Sequence, residues 1–154
     1  MRLYALVFFI ALSFASTRAQ QITWLSFEEV QKKMRVDPKP VVIFIHTDWC
    51  RYCAMQESNT FTDPLVTKKL TLDYYAIRLN AEEKSDITFL NRKYRYRTAG
   101  TGYHELAELL GKENGQLTFP TTLILSESFT MIDRSIGFIS SESFLKKIHT
   151  SPSH

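Results

Sequence analysis

"VVIFIHTDWCRYC", residues 41–53, joins a continuous run of β-branched and aromatic side chains to the only two cysteines in the chain. Val41 to Ile45 lacks the apolar–polar alternation of a half-solvated strand, so it reads as a strand buried on both faces, inside a sheet covered by helices. Arg51 to Thr60 has few helix breakers. Cys50 and Cys53 therefore sit where a buried strand hands over to a helix, and three readings of the pair compete: a structural staple, half of a metal site, or a redox pair.

A bond between Cys50 and Cys53 closes too small a loop to constrain the unfolded chain much, because the entropic gain grows with loop length. Four-ligand zinc needs a second pair or suitably spaced histidines. His46, His104, His149 and His154 form no paired motif, and His46 alone is expected near the cysteines. A Cys-Cys-His set would be three-coordinate for zinc or would suit a soft ion such as Cu(I); no metal ligand and no cofactor is assigned. For redox chemistry the placement is apt. A thiolate attacks where a thiol does not, and the unpaired N–H groups and positive end of a helix dipole favour negative charge on Cys50. Cys53, one turn on, is more shielded, so Cys50 is the expected attacking sulfur and Cys53 the resolving one. Arg51 adds positive charge beside Cys50 and biases the pair toward the oxidising side of a range that runs from about −270 to −120 mV.

The chain has 154 residues, room for one domain with its own hydrophobic core. Its first residues carry Arg2, an apolar run from Leu3 to Ala15 and a small-x-small site at Thr17-Arg18-Ala19. The run is too short for a spanning helix, so residues 1–19 read as a secretory signal peptide, with no stable membrane anchor after cleavage. Removing them takes away Arg2 and Arg18 and no acid, lowering the formal charge from +3 to +1. An acidic partner is not implied. The expected location is exported: periplasmic in a bacterium, otherwise secretory or extracellular.

Along residues 20–150, Ile22 to Leu25 reads as a short strand, and Ser26 with Glu29 as a capping box opening a helix through Val30 and Met34. Asp37-Pro38-Lys39-Pro40 stops it. The helix from Cys50 is expected to run to about Leu70 with an interruption at Asp63-Pro64, and Tyr74 to Leu79 to form a second buried strand. From Ala81 to Gly115 the pattern reads as helical, first with Ile87, Leu90 and Tyr94 on one face and then from Tyr103 to Leu110, ended by Gly111. Thr121 to Leu125 and Met131 to Phe138 read as a hairpin about Ser126 to Thr130. A last helix is capped by Ser140 or Ser141, and 151–154 reads as a disordered tail. The order is that of an α/β layered domain with a mixed sheet.

The strand, Trp49-Cys50-Arg51-Tyr52-Cys53, the helix and strand that follow, and Phe119-Pro120-Thr121 about 70 residues on resemble the thioredoxin family over most of residues 22–149. "WCRYCAMQESNTFTDPLV" is most similar to exported members of the disulfide-reductase type. The resemblance implies a thioredoxin-like α/β fold, a central mixed sheet flanked by helices, carrying a helical insertion at about 82–115 before the proline. It also implies a cis bond before Pro120, a Phe119 backbone that pairs with a bound polypeptide, and a Trp49 that borders the substrate surface. Arg51, Tyr52 and His46 would modulate the pair. The partners implied are client protein thiols or disulfides and a second redox protein that recharges Cys50–Cys53; the alternative is a thioredoxin-like module that binds clients or metal without turnover.

Two departures stand out. Thioredoxin keeps a buried acid six residues before its first cysteine, and here that position is Phe44. Asp48, Glu57 or water would have to serve instead, and Arg78, aligned with the family's strand lysine, would pair elsewhere. The second departure is the insertion. Its run Asn91-Arg92-Lys93-Tyr94-Arg95-Tyr96-Arg97 has the basic and aromatic interleaving of a nucleic-acid binder, but in an exported domain of near-zero charge it reads as a solvated helix end.

Overall fold

Alternate residues of the strand that decides the fold point into two different cores. A computed structural model of the protein describes residues 21–150; the leader expected at 1–19 and the tail at 151–154 lie outside the described residues. Strand β2 is Val41–His46. Val41, Ile43 and Ile45 enter one apolar cluster, and Val42 and Phe44 the other, which also holds both cysteines. All five residues from Val41 to Ile45 are completely buried, so a continuous apolar run is what this position requires.

The sheet has five strands in the order β1 (Trp24–Leu25), β3 (Tyr75–Asn80), β2, β8 (Thr121–Leu125), β9 (Met131–Ile136). β1 and β2 run parallel to β3. β8 is antiparallel to β2 and β9 to β8, which makes the sheet mixed. Helix α1 (Phe27–Met34) begins with the capping box formed by Ser26 and Glu29. It supplies Phe27 and Val30 to the first cluster. On the other face lie α2 (Arg51–Asn59), α3 (Pro64–Asp73) and α5 (Ser141–Thr150), with Val66, Leu70, Phe144 and Ile148 buried beneath them. The break between α2 and α3 falls where Asp63-Pro64 places it: the Asp63 carboxylate accepts from the N–H groups of Leu65 and Val66, and Pro64 occupies the first helical turn, where no N–H is needed.

The segment 82–115 differs from expectation. Its first half is a hairpin, β4 (Ile87–Phe89) and β5 (Arg92–Tyr94), with Ile87 paired to Tyr94 and Phe89 to Arg92. Ile87, Leu90 and Tyr94 fit a helical period, but Phe89 and Tyr94 are the buried residues, whereas Leu90 is exposed. The ring of Phe89 meets Phe27 at 5.1 Å and Phe129 at 5.2 Å, edge to face. Leu90 and Asn91 both adopt positive φ, 49° and 61°, as a two-residue turn matched to strand twist demands. Burial of Phe89 thus selects period 2 over period 3.6.

The second half is helical but shorter than expected: α4 spans Glu105–Gly111 with His104, not Tyr103, at its start. The completely buried His104 ring accepts from the Leu106 N–H through Nδ1 and meets the Ser85 carbonyl through Nε2 at 3.2 Å. A tight hairpin, β6 (Lys112–Glu113) and β7 (Gln116–Leu117), then leads to β8. Gly111 is required by close approach: a Cβ there would lie 2.6 Å from Leu117 Cδ1 and 3.0 Å from Ile45 Cδ1. Arg134 of β9 clamps the end of α4 by donating to the carbonyls of Leu110 and Lys112.

Candidate active site

Cys50 is the N-cap of α2, and its sulfur accepts from the Cys53 N–H at 3.1 Å. Its extended backbone ends the strand-side loop while the helix starts beneath it, so the sulfur lies at the positive end of the helix. No acidic side chain occupies the first turn of α2. Negative charge on Cys50 is therefore met by backbone N–H groups and not opposed by a carboxylate in that turn. Cys50 and Cys53 form a disulfide with Cα atoms 5.2 Å apart. Cys53 is the more enclosed, 2% against 7% exposed.

The residues singled out around the pair fall into two groups. Trp49 and Tyr52 are well exposed, and Arg51 is exposed. The Trp49 ring stands edge-on to Phe119 at 5.9 Å. The Phe119–Pro120 peptide bond is cis, and Pro120 is buried. Cys50, Arg51, Tyr52, Trp49 and Phe119 line one shallow groove of about 470 Å³. His46 does not line that groove: its ring stacks on Phe44, 5.5 Å apart and 7° from parallel, and Phe44 packs in the same cluster as both cysteines.

Phe44 itself is completely buried, and the charged groups on this side lie toward solvent. Phe44 is opposite Arg78 in the β2–β3 register, and Arg78 donates to the Glu57 carboxylate at 2.8 Å. Asp48 accepts from Asn80. Glu57 follows Cys53 by one turn of α2. Burial pushes the His46 pKa below its ordinary 6.5, and Arg78 acts in the same direction, against the opposite pull of Glu57 and Asp48. The native state then binds fewer protons than the unfolded chain just below pH 6.5, so stability is lost as pH falls from 6.5 toward the folded pKa. Urea unfolding of His46→Gln is expected to show a flatter stability profile than wild type between about pH 6.5 and 5, above the ordinary carboxylate range; identical profiles would disprove it.

Gln56, a residue that no motif marks, joins α2 to β8 and to Ile139. Its completely buried side chain donates to Thr122 Oγ1 at 2.8 Å and accepts from the Ile139 N–H at 3.1 Å. Thr60, one turn along, donates to the Ile139 carbonyl at 2.6 Å. The helix carrying Cys53 is thereby tied to the strand that follows Pro120. A Gln three residues after Cys53 is polar on a face that must be buried, and that is the one signal that could have found it.

The basic run at 91–97 is occupied by local partners. Lys93 and Arg95 face Asp86, Arg97 faces Glu105 and the buried Glu108, and Arg92 lies 5.0 Å over the Tyr94 ring. Among the described residues no group of three or more His, Cys, Asp or Glu side chains is placed to hold a metal, and no helix is long and apolar enough to cross a membrane.

A family model described as a thioredoxin-like domain matches residues 27–151. No curated protein matches the chain by sequence. Solved structures with the same fold include a DsbH oxidoreductase, 16% identical, with TM-score 0.61 over 86% of this chain and 85% of that one. A thioredoxin from Thermus thermophilus is 17% identical, with TM-score 0.60 over 84% and 85%. The C-terminal domain of Neisseria meningitidis DsbD, solved in its reduced form, is 16% identical, with TM-score 0.53 over 84% and 100%. With a family match that spans nearly all the described residues and a Cys-x-x-Cys pair at the strand-to-helix junction of a mixed sheet, the chain belongs to the thioredoxin-like family.

Proposed function

We propose that the protein is a thiol–disulfide oxidoreductase that exchanges disulfides with client proteins in an exported compartment. The observation that carries this reading is the Cys50 sulfur at the start of α2, 3.1 Å from the Cys53 N–H, on a groove bordered by Trp49 and Phe119. In the reduced protein the Cys50 thiolate attacks one sulfur of a client disulfide. A Cys50–client disulfide forms and the client's other sulfur leaves as a thiolate. The Cys53 thiolate then attacks Cys50 Sγ, the second client sulfur leaves, and two electrons have passed to the client while Cys50–Cys53 closes. The same steps run in reverse oxidise a client dithiol, and the potential of the partner that recharges the pair sets the direction.

Each flanking residue has a part in this reading. Trp49, Phe119 and Pro120 border the client chain, and the Phe119 backbone pairs with it. Arg51 and Tyr52, between the cysteines, adjust the thiolate and the potential, and His46 acts from beside Phe44 through the field it shares with Glu57 and Arg78. The leader-like residues 1–19 support export.

Trapping tests the proposal. Full-length Cys53→Ser, exported by a host with an oxidising envelope, is expected to accumulate Cys50-linked client adducts that dithiothreitol releases, because the resolving thiolate is gone. Absence of adducts, with the variant folded and Cys50 reactive to a small disulfide, would favour the non-catalytic binding module that the loss of the acid at Phe44 also suggests.

A further inference from the structure

The groove beside Cys50 has a wall that comes from the insertion. Tyr103 stands just before the start of α4, and its ring meets Phe119 edge-on at 5.3 Å. Since Phe119 in turn meets Trp49 at 5.9 Å, three rings form a row across the groove, with Leu117 of the second hairpin beside them. The backbone around Tyr103 is held firmly. Its carbonyl accepts from the Arg97 N–H at 3.1 Å, and the next residue, His104, donates its N–H to the Ala81 carbonyl at 2.6 Å. The first turn of α2, directly after Cys50, adds a charge to this lining. Among the described residues, Arg51 is the only formal charge in the groove, no carboxylate lines it, and Arg51 forms no ion pair.

Edge-to-face ring rows favour another aromatic or large apolar group laid against them, and an unpartnered guanidinium at a rim favours a carboxylate. Resting on the proposed exchange with client proteins, we infer that Tyr103 makes the groove selective for an extended client segment with an aromatic or large apolar side chain on one side of its cysteine and a carboxylate on the other. The insertion is in this way a specificity element: it carries the third ring of the substrate wall, while the redox pair and the other two rings come from the common fold.

Stopped-flow release of thionitrobenzoate tests this on the reduced mature protein. The substrates are short cysteine peptides held as mixed disulfides with thionitrobenzoate. They carry Phe or Ala on one side of the cysteine and Glu or Lys on the other, in both orders. Wild type is expected to react about tenfold faster with the better Phe peptide than with its Ala counterpart, the scale of one apolar group in a pocket. Glu peptides should outrun Lys peptides by a margin that shrinks with salt. Tyr103→Ala is expected to cut the Phe:Ala rate ratio to below about threefold, with Tyr103→Phe restoring it.

Equal rates for Phe and Ala peptides in wild type would overturn the inference while leaving disulfide exchange standing. So would an unchanged ratio in a Tyr103→Ala protein whose thermal unfolding shows it to be folded. No release above the uncatalysed rate with any peptide would instead overturn the exchange reading, and this inference with it.

Discussion

Cys50→Ser is expected to reduce insulin at the rate measured with dithiothreitol alone, whereas wild type accelerates it. A serine hydroxyl at this N-cap still accepts from the helix N–H groups, so the fold and the groove are kept. What disappears is the thiolate, the one group that attacks a disulfide sulfur near neutral pH. The loss should appear in turnover with little change in urea midpoint, because the Cys50–Cys53 bond closes a loop too short to add much stability. A Cys50→Ser protein that reduces insulin as fast as wild type would sink the proposed mechanism.

The largest expected effect on stability belongs to Gln56→Ala. The substitution removes one acceptor and one donor at once, leaving the Ile139 N–H and the Thr122 hydroxyl buried without their partner. Each buried group left unsatisfied costs about 1–3 kcal/mol, and the vacated volume adds a cavity term. A loss of about 3–5 kcal/mol is expected on these grounds. Urea unfolding would show it as a lower midpoint with an unchanged m-value. Because Gln56 joins α2 to β8, the same variant should also slow exchange at Cys50 in the fraction that remains folded. A change in midpoint smaller than that of an exposed substitution such as Lys32→Ala would show that the network carries no such weight.

Different physical effects governed which parts of the molecule could be read in advance. Val41 to Ile45 was legible because a run buried on both faces leaves no other pattern. The break at Asp63-Pro64 and the start of α1 at Ser26 were legible because caps are local: side chain, N–H and carbonyl all lie within a few residues. The hairpin at 87–94 was not. Its residues satisfy two periods, and the choice depends on Phe89 finding Phe27 and Phe129, each distant in sequence. The fate of the basic run likewise depended on Asp86, Glu105 and Glu108 coming to meet it.

By itself the sequence determined the strand, the pair of cysteines at its end and the helix that starts on Cys50, since burial pattern and helix capping are properties of neighbouring residues. Only the tertiary structure decided what surrounds that pair. It set Arg78 on Glu57 behind Phe44, Gln56 between α2 and β8, and Tyr103 against Phe119. Each of these contacts joins residues at least 16 positions apart. Their pairing is chosen by how the two cores close over the sheet, which no local pattern encodes.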